Sequence, residues 1–201
     1  MPYKKATSGK TGMTVIYSGD SSVLVKKNGT LAWRNNNPGN LVCSPFSKRH
    51  GAIGCNKGKA VFPDIETGRK AQTSLLRTKD YQSKTIAQAM EKYAPPTENN
   101  TDKYTRYITK QTGMSRDKKL GDMTPAQFDS FRNSTRRYEN LAPGTEATLP
   151  NPDKVSPLLH SHGKSTGSAS SGRTLKCTGD TVYRIENGRF AGSFTCNGKK
   201  K

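Results

Sequence analysis

The chain has 201 residues, 30% of them hydrophobic, and its 34 Lys and Arg outnumber 15 Asp and Glu for a formal charge of +19. That length holds one compact domain with something small beside it, and the low apolar fraction rules out a large core. No run of ~18 apolar residues exists, which excludes a membrane-spanning helix. A field of this sign draws a protein onto polyanions such as nucleic acid, anionic membrane or acidic wall polymers.

Residues 1–13 begin with a Lys-, Gly-, Ser- and Thr-rich stretch and read as a flexible N-terminus. Basic residues near Met1 are followed by no apolar segment, so this is not a secretory signal, and an exported protein of this sequence is expected to travel without one. Thr14–Tyr17 and Val23–Val25 are β-rich stubs. Asn28-Gly29 then supplies a turn into Leu31-Ala32-Trp33, so a β-hairpin is expected there, with Trp33 as a core anchor or a sugar-stacking platform. Arg34-Asn35-Asn36-Asn37-Pro38-Gly39-Asn40 is a tightly bent loop: Pro38 fixes its own φ, and Gly39 permits positive φ. Residues 41–59 read as a long loop without structure of its own.

Helical patterning starts at Asp64, an N-cap behind Pro63, with Ala71, Leu75 and Leu76 as apolar positions. Gly68 weakens the first turn of that helix. A second helix covers about 84–93 and stops at Pro95-Pro96. A third carries Tyr104, Tyr107 and Ile108 and ends near Gly113. The fourth has the clearest start, Thr124-Pro125-Ala126-Gln127, a capping residue, a Pro at N1 and a Gln at N3, with Phe128, Phe131 and Tyr138 on its core face. Residues 141–172, rich in Pro, Ser and Gly, read as a linker. Residues 173–201 form a small β-hairpin around Asn187-Gly188 with a basic tail. The reading is an α+β, mainly α protein: a helical domain over 14–140 entered by a β-hairpin, then the linker and a small C-terminal hairpin.

The four cysteines fall into two local pairs, Cys43/Cys55 and Cys177/Cys196. Three connectivities exist; local pairing closes the shortest loops, and four reduced thiols is the alternative. Disulfides would place the protein in an oxidising compartment. His50, His160 and His162 complete no zinc pattern, and no metal or other cofactor is expected. There is no P-loop, dinucleotide fingerprint or G-x-S-x-G.

The acids in polar or capping positions are few. Asp64 and Glu66 open the first predicted helix, Glu98 and Asp102 precede and open the third, and Glu139 ends the fourth. Two carboxylates flanking a cleft, one protonated and one ionised, are the equipment of glycoside hydrolysis. Each of these acids also has a plain reading as a helix cap or first-turn charge.

Residues Arg34–Leu41, Gly51–Gly54, Ala60–Gly68, Tyr93–Thr101 and Tyr107-Ile108 follow one another in an order that resembles the lysozyme-like peptidoglycan hydrolases of bacteriophage virions and the C-terminal lysozyme domains of type VI secretion effectors. The resemblance covers about residues 30–140. It implies a lysozyme-like, α-rich fold and cleavage of the β-1,4 bond between N-acetylmuramic acid and N-acetylglucosamine. Many enzymes of that kind carry a catalytic Glu on a helix before the Asn-rich loop, but this chain has no Glu before Glu66.

On this reading Glu66, partly desolvated, is the leading acid and Glu98 the second, with Asp64 or Asp102 holding water or stabilising positive charge. Asn36, Asn40 and Asn99 would bind sugar hydroxyls and acetamido groups, and Tyr93 or Tyr104 would stack on a ring. The expected partners are peptidoglycan and the anionic wall surface, with a secretion apparatus and a cognate immunity protein, and the expected site of action is the target cell's periplasm or wall. No specific nucleic-acid partner is expected. The rival readings are a non-catalytic cationic binding module for wall polymer or nucleic acid, and a virion or effector structural component.

Overall fold

The computed structural model describes residues 3–97, 100–151, 181–186 and 189–195. The chain divides into two units, Met1–Lys154 and Val155–Lys201. Of the second, the described part is an antiparallel pair, β7 (Thr181–Glu186) and β8 (Arg189–Thr195), with an irregularity in register between Arg184 and Ile185. That pair matches the hairpin expected around Asn187-Gly188; the turn itself, Cys177, Cys196 and the body of the proposed linker lie outside the described residues.

The first unit is a mixture of strands and helices. It begins with β1 (Tyr3–Ser8), β2 (Thr14–Gly19) and β3 (Ser22–Lys27) and later adds β6 (Thr145–Pro150), giving an antiparallel sheet in the order β1-β2-β3-β6. Two expectations change here. Residues 3–8 are a strand within the stretch read as flexible, because Ala6 is buried against Val15, Tyr17 and Val61 and its N–H reaches the Ile53 carbonyl at 2.9 Å. Residues 145–150 belong to the sheet and not to a linker, pairing along β3 from Ser22↔Pro150 to Lys27↔Thr145. Pro150 ends that edge strand, where a missing N–H costs little.

The hairpin is also differently placed. It joins β2 to β3 through Asp20 and Ser21, while Asn28 and Gly29, with φ of 56° and 62°, turn the chain out of β3 into a short helix, α1 (Leu31–Arg34). Thr30 caps α1 by accepting from Trp33 N–H, so Trp33 is helical. The Lys26 ammonium lies 4.6 Å from the centre of its ring. A pair of positive-φ residues ends a strand whether a second strand follows or not.

Residues 41–59 carry structure after all: α2 (Pro45–Arg49) with a Ser44–Ser47 capping box, and the strands β4 (Gly54–Asn56) and β5 (Lys59–Val61). The Cys43–Cys55 disulfide ties them together across 5.7 Å between Cα atoms.

The helices follow the sequence closely. Asp64 caps α3 (Ile65–Leu76), Thr85 caps α5 (Ile86–Tyr93), Gly113 ends α6 (Thr101–Thr112) in the left-handed conformation, and the Thr124–Gln127 box starts α7 (Pro125–Glu139). The short α4 (Lys79–Gln82) was not expected. Leu76, Ile86, Met90, Tyr104, Ile108, Leu120, Phe128 and Phe131 form the main core, each nearly or wholly removed from water. Each such side chain contributes about 1.5–3 kcal/mol by burial, which is what holds α5, α6 and α7 together.

Candidate functional site

Four helices, α3, α5, α6 and α7, bring the polar site together around the Asn-rich loop. Asn35, Asn36 and Asn37 are buried within that loop; Asn36 and Asn37 bond backbone groups and Asn35 bonds another buried side chain. The Asn36 amide donates to the Phe62 carbonyl at 3.1 Å and accepts from Lys26 Nζ at 2.8 Å. Asn37 donates to the carbonyls of Leu41 and Ala60, both at 2.9 Å, and accepts from Leu41 N–H. Asn35 accepts from Asn56 Nδ2 at 2.9 Å. These amides supply hydrogen bonds that no helix or sheet provides to a bent segment passing through the interior. Asn36, expected to bind sugar, is therefore placed in the framework of the loop.

Gly68 explains how the loop approaches α3. A Cβ at Gly68 would collide with the Asn36 carbonyl oxygen, so the glycine that weakens the helix by propensity lets the loop backbone lie against its first turn. Pro38 fills the rest of that contact.

The loop ends at Asn40, and here a carboxylate meets it. Glu139, the last residue of α7, accepts from Asn40 Nδ2 at 2.7 Å through Oε2 and from the Tyr104 hydroxyl at 2.9 Å through Oε1. The end of α7 is pinned beside the loop because Thr30 donates to the Asn140 carbonyl at 3.1 Å and the Thr30 N–H reaches Ala142 at 2.9 Å. Tyr104 stacks on Tyr138 with ring centres 3.8 Å apart, which fixes its hydroxyl. Burial pushes the Glu139 carboxyl above its ordinary range, and the hydrogen bonds from Asn40 and Tyr104 and the charge of Lys59 oppose that rise. The neighbouring phenols of Tyr104 and Tyr93 are pushed well up, by burial first and by Glu139 next, so both stay neutral.

The surroundings accept Glu139 in either protonation state. The Tyr104 hydroxyl has one proton and two acceptors within reach, Glu139 and the Thr135 carbonyl at 3.1 Å. With Glu139 ionised, Tyr104 donates to it; with Glu139 protonated, Tyr104 turns to Thr135 and accepts from the carboxyl. The Asn40 Oδ1 is buried without a hydrogen-bond partner among the described residues, and turning that amide over presents it to a proton on Oε2.

Tyr93 of α5, backed by Gln72 of α3, supports the loop. The Tyr93 hydroxyl donates to the Gly39 carbonyl and accepts from Gln72 Nε2 at 3.0 Å. Gln72 also donates to Thr135 at 2.9 Å and accepts from Arg136 Nε at 2.6 Å. Tyr93 and Tyr104, expected as stacking platforms, thus both spend their hydroxyls on holding the loop and the carboxyl.

The acids expected from the sequence fall elsewhere. Asp64 is the cap of α3, accepting from Thr67 N–H at 2.7 Å. Glu66 is 59% exposed, with the Arg69 guanidinium 3.6 Å away, so the desolvation expected for it is absent. Asp102 is 58% exposed, pairs with Arg106 at 3.1 Å, and borders a separate groove with Glu91, Asn100 and Arg116. Glu98 and Asn99 lie outside the described residues. Of the expected residues, Asn40, Tyr93 and Tyr104 come together, and the acid they surround is Glu139. Its signal was in the sequence: Phe128, Phe131, Thr135 and Glu139 recur at three and four residues, which puts Glu139 on the buried stripe of α7.

No family model matches the chain, and no curated protein matches it.

Proposed function

We propose that the protein is a peptidoglycan glycosidase of the lysozyme-like kind, with Glu139 as the proton donor. The observation that carries this reading is a carboxyl made less acidic by burial, held between Asn40 and Tyr104 at the end of the Asn-rich loop. Cleaving a glycosidic bond needs a carboxylic acid that keeps its proton near neutral pH and releases it to the leaving oxygen as that bond breaks. Tyr104 and Asn40 are the positioning residues. Both hold the carboxyl in place, and both strengthen their hydrogen bonds as it becomes negative in the transition state. The partners found for Glu139 are Asn40, Tyr104 and the nearby Lys59, none of them an acid. A site in which Glu139 is the one acid among the described residues favours attack on the anomeric carbon by the muramic 6-hydroxyl, forming an anhydro sugar, over a carboxylate nucleophile. The chain's charge of +19 favours residence on an anionic wall.

The test is mass spectrometry of soluble fragments released from purified peptidoglycan by the parent, Glu139→Gln and Glu66→Gln. Fragments from the parent and Glu66→Gln but not from Glu139→Gln support the reading, and their masses separate water from the 6-hydroxyl as nucleophile. Fragments from Glu139→Gln at the parental rate overturn the assignment of the acid. No fragments from any of the three leave a cationic binding module, the reading favoured by the arginine-lined surface between α3 and α7.

A further inference from the structure

The α3–α7 face carries a groove of about 800 Å³ lined by Glu66, Arg69, Lys70, Thr73, Arg132 and Arg136, together with Ser74 and Asn133. That volume falls in the range of about 300–1,000 Å³ occupied by ligand-sized sites. Four cations face two acids in contact with them: Glu66 beside Arg69 at 3.6 Å, and Asp129 beside Arg132 at 2.8 Å. Arg136 is held by neutral acceptors, Gln72 Oε1 at 2.6 Å and the Arg69 carbonyl at 3.0 Å. Burial, followed by the charges of Arg132 and Arg69, brings its guanidinium down to about 10. The Arg132 Nε–H is buried and has no acceptor among the described residues. A cluster of like charges with a buried, unused donor is relieved by an incoming anion, and guanidinium forks match carboxylates in pairs of hydrogen bonds.

The groove is mechanically joined to the candidate site. Arg136 holds Gln72, Gln72 holds Tyr93, and Tyr93 holds the Gly39 carbonyl of the Asn-rich loop. Glu139 follows Arg136 by three residues on α7, about 4.5 Å along the helix axis. A polymer with a sugar at Glu139 and an acidic branch within one helical turn would lay that branch among these arginines.

We propose that the α3–α7 groove binds the carboxylates of a short acidic peptide, which, resting on the glycosidase reading, is the peptide stem branching from the muramic sugar. The experiment titrates the whole chain with a fluorescent, sugar-free stem peptide, with the same peptide fully amidated at its carboxyls, and with an oligophosphate. Arg69→Gln and Lys70→Gln remove surface cations, and Arg132→Gln removes one packed in the groove; circular dichroism of each variant checks its folding. The expected result is saturable binding of the acidic peptide, weakened about tenfold by Arg69→Gln or Arg132→Gln, falling with added salt and absent for the amidated peptide. Equal binding of acidic and amidated peptides, tighter binding of the oligophosphate, or unchanged affinity in both Arg69→Gln and Arg132→Gln would overturn the proposal. Because no sugar is present and nothing is cleaved, this outcome is read independently of whether Glu139 acts as an acid.

Discussion

Glu66 opens α3 and Glu139 closes α7, and the two helix ends treat a carboxylate in opposite ways. At the start of α3, negative charge faces the positive end of the helix dipole, water and Arg69. At the end of α7 the dipole opposes negative charge, burial opposes it further, and two neutral donors and Lys59 offset part of the cost. A carboxylate in the first setting is what any surface helix carries. One kept in the second, against both dipole and desolvation, sits where proton affinity is raised, and such positions are enriched at functional sites.

The comparison breaks most sharply on activity. Glu139→Gln is expected to lower muropeptide release by about 10²–10⁴-fold, the usual contribution of a general acid, while Glu66→Gln stays within a few-fold of the parent. Equal losses in the two variants would erase the distinction between the helix ends. The next effect is on stability. Gly68→Ala places a methyl against the Asn36 carbonyl and should cost about 1–3 kcal/mol, read as a lower urea midpoint. A parental midpoint would show that the loop does not depend on its seat on α3.

Two smaller effects concern pH. Asn40→Ala removes a hydrogen bond that favours ionised Glu139, so the alkaline limb of the pH–rate profile should move to higher pH; a shift to lower pH would contradict the assigned contact. The folded pKa of Glu139 lies above its unfolded value, so its proton is bound more tightly in the folded state. Its contribution to stability is complete below the unfolded carboxylate value and is lost as pH rises through the folded value. Urea midpoints of Glu139→Gln, compared with the parent from acid to neutral pH, should lack that fall. A parallel decline in both would assign the slope to other groups.

Much of the helical half of the first unit was legible in the residues. The caps at Asp64 and Thr124, the stop after Tyr93 and the glycine after Thr112 act through local chemistry, and each appears where its side chain demands it. The local Cys43–Cys55 pair was legible for the same reason, since a loop of 12 residues brings its ends together readily. The strands at 3–8 and 145–150 were not, because polar edge strands show no burial pattern and their partners lie far along the chain. The site divides similarly. Asn40 belongs to a visible loop motif and Tyr104 to a patterned helix, but Glu139 is joined to Asn40 across 99 positions.

The sequence by itself determined α3, α5, α6 and α7 with their main caps and stops, the bent amide loop and the sign of the surface charge, because these follow from side chains acting on their nearest neighbours. Only the tertiary structure decided which acid leaves water. Desolvation is set by what packs over a group, and the packing over Glu139 comes from a loop, a tyrosine helix and a threonine cap that meet only when the chain has folded.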